Sequence, residues 1–131
     1  MDLETLPKDL KYNKDYSWIK ITNDIATIGV THFLTQRVKE FVFIKLPEQG
    51  QTVKKGETYV SLESIKWSGH ISSPLTGKIT EVNTSLFDEP SEINNNPYDS
   101  WIMKIQIKAK SEVDELMDSN QTLSWLQQQK S

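Results

Sequence analysis

Apolar and polar positions alternate in short blocks along most of this chain, and Asn, Asp, Gly and Pro separate the blocks. Residues 16–21 and 25–30 are rich in β-branched and aromatic side chains, with Asn23 and Asp24 between them, which predicts a β-hairpin. Phe33, Leu34 and Val38 then form a small apolar set at helical spacing, so a short helix is predicted over 31–38 with Thr31 as its cap. A third strand is predicted over 40–46 and ends at Pro47 and Gly50, because proline cannot donate to a ladder and glycine accepts a turn. Lys54, Lys55 and Gly56 predict another turn. Residues 58–64 predict a strand with Tyr59, Ser61 and Glu63 on one face and Val60 and Leu62 on the other. Extended structure resumes at His70 and stops at Pro74. A turn at Leu75, Thr76 and Gly77 leads to a strand over 78–82.

Residues 83–98 are polar and hold Pro90, Asn94, Asn95, Asn96 and Pro97, which predicts a long surface loop with one helical turn. Trp101, Met103, Ile105 and Ile107 alternate along a last strand. The period then changes. Val113, Leu116 and Met117 fall at helical spacing, as do Leu123 and Leu126, and Ser119 or Asn120 is the expected cap of a final helix reaching residue 129. Several short strands with closely spaced turns predict a mainly β, sandwich- or barrel-like fold, decorated by short helices.

Composition narrows the chemistry. A chain of 131 residues fits one domain. Its 15 Lys and Arg against 18 Asp and Glu give a net charge of −3, which disfavours nucleic acid as a partner. With no cysteine, disulfides, thiol nucleophiles and Cys-held zinc or iron–sulfur centres are excluded. The two histidines, His32 and His70, read as surface or helix-end residues rather than metal ligands or catalysts. The start of the chain lacks the apolar core of a signal peptide, and no run approaches the ~20 apolar residues of a membrane span, so a soluble cytoplasmic protein is expected.

No phosphate-cradling glycine loop, zinc-protease helix or nucleophile elbow is present. The acidic pairs Asp88-Glu89 and Asp114-Glu115 read as solvated faces. What remains is Lys66, at the crest of the hairpin predicted between residues 60–64 and 70–73. A lysine lifted on a tight turn by two paired strands suits a covalent carrier, whose prosthetic group must reach other active sites. Taken alone, such a turn reads first as a lysine kept for solubility.

Its surroundings add a resemblance. Leu62-Glu63-Ser64-Ile65-Lys66, followed by Ser73-Pro74-Leu75-Thr76-Gly77-Lys78, resembles the lipoyl-attachment region of glycine cleavage system H proteins. Trp18-Ile19, Ile28-Gly29-Val30-Thr31 and Phe43-Ile44-Lys45-Leu46-Pro47 upstream, with Ile93-Asn94, Asn96-Pro97-Tyr98 and Trp101-Ile102-Met103-Lys104 downstream, extend the likeness over nearly the whole chain. The resemblance implies a barrel-sandwich hybrid of the lipoyl-domain type, one carrier domain over 1–131 with its core at about 16–108 and a helical tail at 112–129. It implies lipoate in amide linkage on Lys66, with Glu63 and Gly77 helping the attaching enzyme recognise the domain. Gly77 is expected in a positive-φ turn packed too closely for a Cβ. Ser64, Ile65, Trp67 and His70 are expected to touch the arm or a partner.

The implied role is that of a non-catalytic shuttle in glycine catabolism. It would carry an aminomethyl group from glycine decarboxylase to the aminomethyltransferase, be reoxidised by dihydrolipoamide dehydrogenase, and be loaded by a lipoate ligase or lipoyltransferase. The loaded arm is expected to find a cleft beside the hairpin, near the C-terminal helix. The chain departs from the family where Trp67 and Ser68 replace two small residues, His70 an acidic one, Leu34 an alanine and Lys39 a glycine. Between Tyr98 and Trp101 only Asp99 and Ser100 stand, without the usual glycines. Biotinyl domains, which flank their lysine with Met, and acyltransferase lipoyl domains, with Asp-Lys-Ala, fit less well. Three alternatives stay open: a lipoate-binding carrier of a heterodisulfide-reductase-like sulfur-oxidation pathway, a lipoate-relay protein, and an unmodified binding module.

Overall fold

The computed structural model describes residues 6–130, the side chains of residues 129 and 130 excepted. Among the described residues nine strands form two open antiparallel sheets. The larger has the order β1-β2-β3-β9-β8-β5, built from β1 (Lys11–Tyr12), β2 (Ser17–Thr22), β3 (Ile25–Val30), β5 (Thr52–Val53), β8 (Gly77–Val82) and β9 (Met103–Ile107). The smaller has the order β4-β6-β7, from β4 (Phe41–Lys45), β6 (Thr58–Ser64) and β7 (Ser68–Ser72). Helix α1 (His32–Val38) links the sheets, and α2 (Ser85–Asp88) and α3 (Glu92–Asn95) lie between β8 and β9. A 3-10 segment (Lys110–Glu115) precedes α4 (Ser119–Lys130).

The inward residues of both sheets meet in one core that includes Ile19, Ile28, Ile44, Leu62, Ile79 and Ile105. Alternation explains most of this, since successive side chains on a strand point to opposite faces. Strands β2 and β6 are among those that break it. In β2 both Trp18 and Ile19 are buried, because Ile19 enters the main core while Trp18 joins Leu6, Leu10, Tyr12, Phe33 and Leu126 in a second cluster outside the sheet. In β6 a register shift between Thr58 and Val60 turns Tyr59 inward beside Val60, against the two-face alternation predicted for this strand. The Tyr59 and Ser17 hydroxyls pair at 2.9 Å, and burial pushes the Tyr59 phenol far above its ordinary range.

The predicted hairpin at Asn23 forms, with Ile19 opposite Ile28, and Asn23 takes the positive φ (+56°) that asparagine tolerates in turns. Thr31 holds the cap position of α1, but its side chain makes no cap hydrogen bond and its buried Oγ1 has no partner. Lys39, just past α1, has φ +65° and ψ −158°, a conformation suited to glycine. Its carbonyl accepts from Asn94 Nδ2 (2.6 Å), and Asn94 Oδ1 accepts from the Phe41 amide (2.9 Å).

Residues 83–98 are not a surface loop. They contain α2 and α3, which bury Leu86 and Ile93, and the Trp18 indole donates to the Pro97 carbonyl (3.0 Å). The tail also differs from expectation. Val113 lies in the 3-10 segment, while Met117 and Tyr12 exchange backbone hydrogen bonds at 2.8 Å each in an isolated bridge. The last helix is capped by Asp118 rather than Ser119 or Asn120. Asp118 Oδ1 accepts from the Gln121 amide (2.8 Å), and Gln121 Oε1 accepts from the Asp118 amide (2.9 Å), a reciprocal capping box.

Candidate functional site

Strands β6 and β7 pair from Thr58 opposite Ser72 to Glu63 opposite Ser68. The Ser64 amide donates to the Trp67 carbonyl (2.8 Å), so Ile65 and Lys66 alone form the turn beyond the last closing bond. Both are exposed, Ile65 at 87% of its full surface. Among the described residues Lys66 makes no hydrogen bond, ion pair or cation–π contact. A paired ladder therefore holds the backbone of this turn while the lysine amine stands in water.

Trp67 does not project from the turn. It is half-buried, its ring lies 6.3 Å from that of Phe41, and it covers Gly69. A Cβ on Gly69 would come within 2.5 Å of Trp67 Cη2, so the absent side chain makes room for the indole. The two residues stand two apart, on one face of an extended chain, and this large-small pair is a signal that the sequence contained. Ser64 is half-buried opposite Phe41, and Glu63 is exposed opposite Phe43.

Gly77 opens β8, opposite Val53 on one side and Ile107 on the other. It is not in the positive-φ region expected of it, because it is a strand residue rather than a turn residue. The close approach is real: a Cβ would overlap the Gln106 carbonyl oxygen and sit 3.0 Å from Ile105 Cδ1.

His70 is exposed, and its Nδ1 lies 2.7 Å from Ser61 Oγ on the neighbouring strand. Lys45, Ser61 and His70 form one cross-strand row at the rim of a cleft of about 690 Å3, whose apolar wall includes Leu46, Val53 and Ile79. No residue of α4 lines this cleft. His32 sits elsewhere, at the start of α1. Its Nδ1 is 3.1 Å from the Tyr98 hydroxyl, burial lowers its pKa from the ordinary value of 6.5, and burial pushes the Tyr98 phenol up to about 12. Among the described residues no group of three or more His, Asp or Glu could hold a metal ion, and no helix is long and apolar enough to cross a membrane.

Two open antiparallel sheets around one core, with a lysine raised on a β-hairpin and a helix at the C-terminal end, define a barrel-sandwich hybrid domain. The family model described as "Glycine cleavage H-protein" matches residues 10–129. Glycine cleavage system H proteins of Staphylococcus epidermidis and Listeria monocytogenes are 38% and 41% identical over 117 residues, covering 88% of this chain and 93% and 94% of theirs. The crystal structure of a glycine cleavage system H protein from Mycobacterium marinum superposes with a TM-score of 0.78 at 31% identity, covering 88% of this chain and 94% of that one. The chain belongs to the glycine cleavage H-protein family.

Proposed function

We propose that this protein is a single-domain cytoplasmic lipoyl carrier, itself non-catalytic, that moves an aminomethyl group from glycine decarboxylase to the aminomethyltransferase on a lipoyl arm joined to Lys66. The observation that carries this reading is the isolated, exposed amine of Lys66 on a two-residue turn of a paired hairpin. Those residues fit the group. Acylating Lys66 breaks no ion pair among the described residues, and a neutral amide costs nothing to leave in water. When bound, the dithiolane supplies a disulfide that accepts the one-carbon unit and a dithiol that dihydrolipoamide dehydrogenase reoxidises.

The chain's own part is mechanical. The β6–β7 ladder fixes where the arm is rooted, and the turn presents it beyond the folded surface. Tethering converts each partner's search for a free cofactor into an encounter at high effective concentration. Trp67, packed on Gly69 and Phe41, stiffens the root of the arm. Glu63 and Gly77 serve recognition by the attaching enzyme: Glu63 as an exposed carboxylate three residues before the lysine, Gly77 by holding β8 tight against β9. Modification removes one ammonium, taking the net charge from −3 to −4.

Intact-mass measurement tests the site. Incubation with a lipoate ligase, lipoate and ATP is expected to add one lipoyl group to the wild-type protein and none to Lys66→Arg. Equal modification of the variant would place the arm elsewhere.

A further inference from the structure

Behind the Lys66 turn the outer face of the smaller sheet carries two cross-strand rows. Phe43, Glu63 and Ser68 form the first, and Lys45, Ser61 and His70 form the second. Ser68 and His70 stand two apart on β7 and project from one face, which sets the second row about 7 Å from the first. His70 Nδ1 lies 2.7 Å from Ser61 Oγ, and its Nε2 has no hydrogen-bond partner among the described residues. Strand β7 is the outermost of its sheet, and the ring stands exposed at the mouth of the cleft walled by Leu46, Val53 and Ile79. The chain has no cysteine, so the two sulfurs of a lipoyl arm would be the only thiols of the loaded protein.

We propose that His70, oriented by Ser61, is the proton acceptor for the reduced arm: its Nε2 takes the proton of an arm thiol, and the free carrier holds that sulfur as a thiolate beside the imidazolium. This rests on the reading of Lys66 given above. Reach permits it. His70 follows Lys66 by four residues, so their Cα atoms are at most ~14 Å apart, and the lysine and acyl chain together run through about 12 bonds, roughly 15 Å to the sulfurs. An arm laid back along β7 brings its sulfurs to the ring and its methylenes to the apolar wall of the cleft. With Nδ1–H donating to the Ser61 oxygen, Nε2 carries the free lone pair. The transfer breaks an S–H bond and forms an N–H bond, and no electrons change hands, so the dithiol stays reduced. Imidazole takes and returns protons near neutral pH, and the thiolate, not the thiol, attacks a disulfide. An arm leaving His70 is therefore already in the form that its oxidising partner consumes.

The charges around the ring are mixed. Lys45, on β4 at the far end of the row, favours the thiolate. Glu63 stands in the adjacent row of β6, Glu48 and Glu57 line the cleft, and Asp15 faces the outer edge of β7 at Ser72. Three of these carboxylates are already engaged: Glu48 by the Gln51 side chain, Glu57 by the Lys54 amide, and Asp15 by the Ser72 amide and hydroxyl. The imidazolium touches the sulfur directly, and Coulomb attraction falls with distance, so the contact dominates.

The test uses the full chain, loaded by a lipoate ligase with lipoate and ATP, checked by intact mass, and reduced with a phosphine that is then removed. Wild type, His70→Asn, His70→Asp and Ser61→Ala are alkylated with iodoacetamide across pH, beside free dihydrolipoamide, and the rates are read by intact mass. The wild-type rate is expected to reach half its plateau about one pH unit below dihydrolipoamide, and at neutral pH to exceed that of His70→Asn about threefold or more. His70→Asp, which puts a carboxylate beside the sulfur, is expected to move the profile to higher pH than dihydrolipoamide. Ser61→Ala is expected to fall between wild type and His70→Asn. By NMR, the His70 ring of the wild type is expected to titrate at higher pH with the reduced arm than in the unmodified protein, a readout that needs no variant and decides the matter if one fails to fold. A wild-type profile coinciding with that of His70→Asn, or a His70 titration unmoved by the reduced arm, would overturn the inference and leave Lys66 as the site intact. Failure of wild type to gain a group at Lys66 would instead remove the reading beneath it.

Discussion

The indole of Trp67 fills the space that a side chain on Gly69 would need. The two residues are therefore one packing unit at the root of the hairpin. Gly69→Ala is expected to lift the ring from Phe41, shift tryptophan emission to longer wavelength and cost about 1–3 kcal/mol of stability, the usual range for overpacking. Trp67→Ala in the same chain should recover part of that loss. A double-mutant cycle by urea denaturation gives the coupling, and additivity of the two changes would show that the ring does not depend on Gly69.

Gly77 makes a related argument with a harder obstacle. Its missing Cβ faces the Gln106 backbone oxygen, which cannot rotate away as a side chain can. Gly77→Ala is expected to push β8 off β9 and lower stability by about 1–3 kcal/mol. Thermal unfolding checks this, and an unchanged midpoint would mean that the strands part without strain.

Thr31 behaves unlike an ordinary cap. A threonine that caps a helix loses about 1 kcal/mol on removal of its hydroxyl. Here the hydroxyl is buried and bonds nothing, so Thr31→Val is expected to raise stability by about 1 kcal/mol. A fall of that size in chemical denaturation would mean that the oxygen does bond the first turn of α1.

Lys39 carries backbone strain in exchange for the Asn94 clamp. At φ +65° a glycine avoids the Cβ clash, so Lys39→Gly is expected to gain up to about 1 kcal/mol despite its looser unfolded chain. Asn94→Ala, which leaves the Phe41 amide and the Lys39 carbonyl without their partner, is expected to lose about 1–3 kcal/mol. Equilibrium unfolding of both variants distinguishes the two effects.

His32 gives the fold a pH dependence of known sign. Its pKa is lower folded than unfolded because burial disfavours the charged ring. The unfolded chain therefore binds more protons, and stability falls as the pH drops through about 6.5 toward the folded value, below which the loss is complete. Denaturation midpoints between pH 7.5 and 5.5 should show this slope, and His32→Asn should flatten it. A midpoint that rises on acidification in wild type would reverse the assignment.

The strands were legible because their side chains alternate and their turns hold Asn, Gly or Pro. The hairpin over residues 58–72 could be read in this way, and the resemblance at Glu63, Lys66 and Gly77 marked the same region. What escaped was local. The burial of Tyr59 depends on a bulge, which shifts the face of one residue without changing composition. Leu86 and Ile93 are single apolar residues in a polar stretch, too few to set a period, yet each anchors a four-residue helix. Asp118 and Gln121 had the spacing of a capping box, hidden by the Ser119 beside them. The Phe43–Phe87 pair joins residues distant in sequence, and no pattern within either segment reports it.

Strand β9 lies between β3 and β8, although it is the last strand to be synthesised. On the ribosome, the two halves of the larger sheet, β1-β2-β3 and β8-β5, cannot be joined until residue 107 has left the exit tunnel. The β2–β3 and β6–β7 hairpins, by contrast, pair neighbours and can zip at once. Pairings between distant parts of a chain form slowly, so a newborn molecule passes through a stage in which its lysine turn exists without the platform beneath it.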